Sequence, residues 1–293
     1  MPAHTGIVPF AAVLLALILA LFSRTVQERL RRLLIALIAA PVLLTAFFCV
    51  AAAHYGALSL PLASAVLAFT TAPTLVVLVA GTGRKPGALT DLAAILLLWL
   101  PLEFGAGASL VPRPVQGVLH AIVYGVAILL GLVLFLVYRE LPGMRYQLPR
   151  RLSDLANATL GLAICGAILI PLGLAIGFLN PPHHPPVTGP RLALRIAFIF
   201  FGTALPEEIL FRALIQNWLA QRFGDTVRSV AGAALIFGVA HLDNGPQPLP
   251  NWRYMIVATI AGFIFGMVFR KSTSVIASAL THTGVNTVKY VWF

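Results

Sequence analysis

Ile196-Ala197-Phe198-Ile199-Phe200-Phe201 leads, four residues on, into Pro206-Glu207-Glu208-Ile209-Leu210-Phe211-Arg212. An apolar run fit for a membrane interior thus ends in two adjacent carboxylates and a guanidinium. A charged side chain at the bilayer centre costs upward of about 2.5 kcal/mol. Such groups persist where they face a protein interior or a wet cavity, and there they mark function by default. On a helix Glu208 and Arg212, four residues apart, pair along one face. Glu207, turned about 100° away, is directed elsewhere.

The rest of the chain repeats the apolar theme. Of 293 residues, 59% are hydrophobic and 10% charged, with a mean hydropathy of +0.94. An average soluble domain is about 25% charged. Repeated apolar runs of about 17 to 22 residues match the roughly 20 that a helix needs to cross a bilayer. Alternation of apolar and polar positions, the mark of a membrane β-barrel, is absent. The expected fold is therefore all-α, a polytopic transmembrane bundle of about ten helices (eight to ten). The expected spans are 7–22, 33–53, 58–82, 92–111, 119–138, 157–179, 191–222, 228–242, 253–270 and 274–292. Eight helices plus re-entrant segments is the variant in which 191–222 breaks at Pro206. The polar stretch 139–154 divides the chain into 1–150, membrane helices of unknown role, and 151–293, which holds every polar motif of interest.

The formal charge of +11 reads as orientation, not as nucleic-acid binding. With the N-terminus outside, the turns after the odd-numbered spans hold 14 of the 20 Lys and Arg, and the opposite turns hold Arg113, Arg191 and Arg253. That bias is what the positive-inside rule expects, and it places both termini outside the cytoplasm. The expected setting is a multi-pass protein of a bacterial-type plasma membrane, with the lipid bilayer as its first partner. Cys49 and Cys165 lie inside apolar runs and read as small core hydrophobes.

Polar residues recur at helical spacing in the last 90 residues. Glu207, Glu208 and Arg212 are joined by Phe237-Gly238-Val239-Ala240-His241 and by His282-Thr283-Gly284-Val285-Asn286. Glu207 is near the middle of its run, His241 about 20 Å from Arg228, and His282 about 16 Å from Lys271, so all can meet at mid-membrane. Gly262 and Gly266, a GxxxG pair, and Gly232, Ala233 and Ala234 allow close helix approach. A Glu–His pair can hold and deprotonate a water. A His–Asn pair can donate to the oxyanion of a tetrahedral intermediate. Together these are the needs of peptide hydrolysis. Of the other polar residues, Glu103 within a span could pair with a histidine or cap a broken helix. His120 reads as interfacial, and His183 and His184 as members of a Pro-rich loop.

Glu207-Glu208-x-x-x-Arg212, Phe237-x-x-x-His241 and His282-x-x-x-Asn286, in that order within 195–293, resemble the motifs of the CAAX prenyl endopeptidase family (CPBP, the CAAX proteases and bacteriocin-processing enzymes). The resemblance implies an intramembrane glutamate-dependent endopeptidase acting on a peptide or protein substrate, with or without a lipid attached. By position it implies that Glu207 with His241 activates water, and that His282 with Asn286 stabilises the oxyanion. Glu208, Arg212 and Phe237 then order the site. No cofactor is expected. The alternative is Zn²⁺ held by Glu207, His241 and His282, but the chain has no HExxH, and Asn286 beside His282 suits a donor better than a ligand. Two other classes compete: a non-catalytic immunity or scaffold protein of the same fold, and a small-molecule transporter. A scaffold has no need of the polar set, and the paired broken helices of a transporter are not evident.

Overall fold

The computed structural model describes residues 6–81, 83–183, 189–245 and 248–293, with only the backbone of Leu34. The described residues are helical, without strands. The Cα packing resolves two compact units, Met1–Pro142 and Gly143–Phe293.

The first unit comprises α1 (Val8–Ala20), α2 (Arg24–Arg31), α3 (Leu34–His54), α4 (Leu60–Ala80), α5 (Leu89–Glu103) and α6 (Gln116–Leu132), the last continued by a π turn, Val133–Tyr138. Helix α6 packs against α1, α3 and α5. It is buried almost all round from Val126 to Leu132, as an all-apolar helix requires. Ser59 caps α4 by accepting from the Leu62 amide at 3.3 Å. Pro61 sits in the first turn, where the missing N–H was an orphan anyway. Asp91, in the first turn of α5, is fully buried. Its carboxylate takes Arg84 at 2.8 Å and Arg139 through two nitrogens at 2.9 Å each. Glu103, at the end of α5, accepts from the indole of Trp99 at 2.9 Å, so the partner on view is an indole, not a histidine. His120 is exposed near the start of α6.

In the second unit α7 (Leu152–Ala175) precedes a helical rod, 190–223. The rod runs through α8 (Pro190–Ile199), a π segment Phe200–Ala204, α9 (Leu205–Glu208), a second π segment Ile209–Gln216, and α10 (Asn217–Phe223). Then follow α11 (Val227–Val239), α12 (Trp252–Lys271) and α13 (Val275–Trp292). Helix α12 is central, against α7, α11 and α13. Its glycines admit neighbours: a Cβ on Gly262 would lie 2.8 Å from the Phe237 ring, and one on Gly266 2.7 Å from Val230. Gly238 on α11 is tighter still, because a Cβ there would strike Thr259 and lie 2.8 Å from the Met255 carbonyl oxygen. The segment ahead of α7 wraps the α12–α13 turn. Arg145 donates to the carbonyls of Arg270 and Ser272, both at 2.7 Å, and to that of Phe269, closing the end of α12 where cations are favoured. Asp154 accepts from the Thr273 amide at 2.7 Å. Cys49 and Cys165 are free thiols. His183 is exposed, and His184 lies outside the described residues.

The multi-pass helical fold is as expected, but the span count differs. Among the described residues five helices are long and apolar enough to cross a membrane: α3, α4, α6 with its π turn, α7 and α12. Helices α1 and α2, bent by 91°, make a sixth if taken as one span. The expected ten also counted the rod (191–222) and α13 (274–292), which are not among these spans, and α5 and α11, which are only 15 and 13 residues long. At 1.5 Å per residue they fall short of a hydrocarbon core about 30 Å thick. The run 92–111 ends early because Gly105 and Gly107 take φ of +62° and +81°, which stops a helix. The rod does not break at Pro206. The proline ring would clash with the carbonyl four residues earlier. That residue, Gly202, lies in the wider π turn.

Candidate active site

The rod presents the two carboxylates to different surroundings. Glu208 and Arg212 are fully buried, and Arg212 Nε donates to Glu208 Oε2 at 3.1 Å. The guanidinium carbon also lies 5.2 Å from the Phe237 ring centroid, a cation–π contact of the kind desolvated arginines make. The other Glu208 oxygen, Oε1, is 3.1 Å from Nδ1 of His282 on α13. Glu208 thus bridges a local partner and one 74 residues away. The Glu207 side chain keeps 22% of its surface exposed, and its Oε2 is 3.8 Å from His282 Nε2. His282 therefore faces one carboxylate with each ring nitrogen.

Two tautomers follow from the acceptors. A carboxylate and a carbonyl can only accept, so the imidazole nitrogen beside each carries the proton. For His282 that is Nδ1, against Glu208. For His241 it is Nδ1 again, 2.7 Å from the Phe237 carbonyl, which leaves Nε2 as the basic nitrogen. His241 sits in the turn after α11, one residue past Ala240, its ring 4.5 Å from Phe237 and 4.6 Å from Tyr254. The His282 ring stacks on Phe265 at 4.6 Å and meets Phe237 edge-on at 5.9 Å. Phe237 touches Phe211, His241, His282 and the Arg212 guanidinium, and so connects all three motifs.

A cavity of about 150 Å³ opens beside these groups, lined among others by Phe237, His241, Tyr254, His282, Asn286 and Lys289. Asn286, one turn beyond His282, reaches it from α13. The structure thus gathers Glu207, Glu208, Arg212 and His282 by direct polar approach, with His241 against Phe237 and Asn286 on the shared cavity. Tyr254, Phe265 and Lys289 belong to the same wall and were not singled out by motif. Tyr254 had no signal at all, whereas Phe265, beside the glycine pair of α12, had a weak one. Among the described residues no group of three or more His, Cys, Asp and Glu side chains is arranged to hold a metal ion. The Glu207/His241/His282 set does not converge as such a group.

Residues 189–288, about a third of the chain, match the family model described as "Rce1-like: Type II CAAX prenyl endopeptidase Rce1-like". The resemblance carried by the three motifs is borne out for that segment. No curated protein and no solved structure gives a significant match.

Proposed function

We propose that the second unit is an intramembrane endopeptidase in which Glu207 accepts the proton of the attacking water. The observation that carries this is the asymmetry of the two carboxylates: Glu208 is saturated by Arg212 and His282, while Glu207 is partly accessible and faces the outer nitrogen of the same histidine. Two polar atoms 3.8 Å apart are too far for a direct hydrogen bond, and Oε2 itself is shut from solvent. In this reading a turn of the partly exposed Glu207 side chain admits the water between them. Its oxygen attacks the peptide carbonyl carbon while its proton passes to Glu207. The Glu208 carboxylate stabilises His282 as imidazolium, so that Nε2–H and the Asn286 amide donate to the developing oxyanion. His241 Nε2 is a second acceptor on the same cavity. Glu207 then returns its proton to the leaving amine as the C–N bond breaks. Arg212 and Phe237 hold Glu208 and the rings in place. No step requires a metal.

The substrate is a peptide or protein segment delivered at the membrane, and whether it bears a prenyl group is the question for a peptide panel. The test uses the purified full chain in detergent, with peptides that do and do not carry a prenylated cysteine, before and after removal of divalent metal. Cleavage of at least one class, unchanged by chelation, is expected. No cleavage by a folded preparation, or loss on chelation restored by stoichiometric Zn²⁺, rules the mechanism out.

The charge bias further supports an orientation with both termini outside the cytoplasm. Arg151 and Arg191 are both exposed. In a cysteine-free background, Arg151→Cys should label only from the cytoplasmic face and Arg191→Cys only from the other. Reversal of the two inverts the topology.

A further inference from the structure

A second cavity, about 550 Å³ and lined wholly by the first unit, has no part in that chemistry. Four helices line it, each from the same end: Phe48 near the end of α3, Leu62 near the start of α4, Leu102 at the end of α5 and Gln116 at the start of α6. On α4 the lining runs from Leu62 to Ala72, about 15 Å of helix, which is half of a hydrocarbon core about 30 Å thick. The cavity therefore has the depth of one lipid leaflet. Its volume points the same way. A methylene is about as large as a water, about 30 Å³, so the space takes about 18 of them, one acyl chain and not two.

The polar groups gather at one end. The Gln116 amide donates to the carbonyls of Ala108 at 2.7 Å and Val111 at 3.3 Å, which fixes the loop 105–111 across the helix ends. Gly117, next on α6, lines the cavity and is exposed, and a Cβ there would meet nothing within 4 Å. Glycine weakens a helix relative to alanine, and no close packing offsets that loss here. What the absent side chain keeps clear is the cavity wall. Arg113 and His120, four residues before Gly117 and three after, share its face of the helix and are also exposed. Arg113 forms no ion pair among the described residues. An apolar cavity with a few polar groups fixed at one end is the usual build of a small-molecule site. A gap flanked by a guanidinium and an imidazole suits a phosphate whose chain passes inward.

We propose that this cavity holds one acyl chain of an anionic phospholipid, whose phosphate is bound at Arg113 and His120. The second chain stays in the bilayer. The site is independent of the peptide-hydrolase reading and stands whether or not that reading does.

The test reconstitutes the full chain in phosphatidylcholine vesicles with a trace of phosphatidylglycerol that carries a photoreactive group at the end of one acyl chain. The labelled residues are then mapped. Phe69 and Ala72, on the α4 wall of the cavity, should be labelled well above Leu43, an exposed residue of α3 about 16 Å from the same end of the unit. Gly117→Trp should abolish that excess and leave Leu43 unchanged, whereas Gly117→Ala should keep it. Should Gly117→Trp fail to fold, Ala72→Phe fills the cavity from α4 and the label is read at Phe69. Unlabelled phosphatidylglycerol should displace the probe about fivefold better than phosphatidylethanolamine, the gain expected from one basic residue at the lipid surface. Arg113→Gln should level the two. Labelling of the cavity wall no stronger than that of Leu43, or undiminished in the folded filling variants, reduces the lipid to ordinary bilayer contact and overturns the site. Equal displacement by phosphatidylethanolamine in wild type overturns the anionic head. Displacement by oleate or by a prenylated peptide at lower concentration than by phosphatidylglycerol gives the cavity to another ligand, and overturns the proposal as well.

Discussion

Each unit buries a carboxylate completely, and the two are solved differently. Asp91 in the first unit is enclosed by two arginines, and both its oxygens are taken by guanidinium nitrogens at 2.8–2.9 Å. That cluster joins the start of α5 to the segments that follow α4 and α6. Glu208 in the second unit has one arginine and one histidine, and that histidine lines a cavity and turns its far nitrogen to a second carboxylate. The first network is closed and the second is open-ended. Burial of a charge, costly in both cases, therefore does not by itself identify a reactive site. What sets the second arrangement apart is that its histidine stands on a cavity wall. Cavity size misleads in the same way. The first unit holds the larger one, about 550 Å³, with walls mostly of apolar side chains, and the polar groups gather around the smaller.

The contrast can be broken most sharply at Glu207. Glu207→Gln keeps shape but cannot accept a proton, so cleavage should fall by about 10²- to 10⁴-fold with the melting temperature unchanged. An active Glu207→Gln beside a folded, inactive Glu208→Gln would exchange the two roles. Next come the buried partners. Asp91→Asn and Glu208→Gln each strand an arginine in the interior, which costs about 3–5 kcal/mol where a buried pair is broken. Thermal unfolding should show both as strongly destabilised. Turnover per folded molecule should survive in Asp91→Asn and collapse in Glu208→Gln, because only the latter releases His282. Equal turnover losses would erase the distinction drawn between the networks. The smallest effect is expected at Gly238→Ala, where the added methyl must displace Thr259 and the Met255 carbonyl. Overpacking of this kind costs about 1–3 kcal/mol, so a modest drop in melting temperature with KM little changed is expected. A neutral result means that α11 and α12 have room to part.

Much of this was legible in the chain because long apolar runs announce helices directly. The run 253–270 became Trp252–Lys271, and 191–222 became the rod 190–223. Local pairs were legible for the same reason: a spacing of four puts Glu208 against Arg212 on any helix. Long-range partners were not. Nothing in the sequence joins Glu208 to His282, because that contact depends on how α13 packs on the rod. Asp91 belongs to no motif, and Arg84 and Arg139 stand beside apolar runs as orientation charges do, although they close a buried cluster. Arg145 lies in the polar stretch 139–154 yet closes a helix end. Asp154 ends that polar stretch, so the apolar run starts at 157 while the helix starts at Leu152.

The π winding between Ile209 and Gln216 makes the site depend on residue count as well as residue identity. A π turn accommodates one more residue than an α turn. Glu208 lies just before that surplus, and Gln216, which donates to the Gly266 carbonyl at 3.0 Å, lies at its end. Removing a single residue between them would let the turn relax to α geometry with its flanks still nearly in phase, because the wider turn already holds the surplus. Adding one more residue has no such reserve and would swing the carboxylates about 100° from the α12 contact. The stretch is therefore expected to take a gap of one more readily than an insertion.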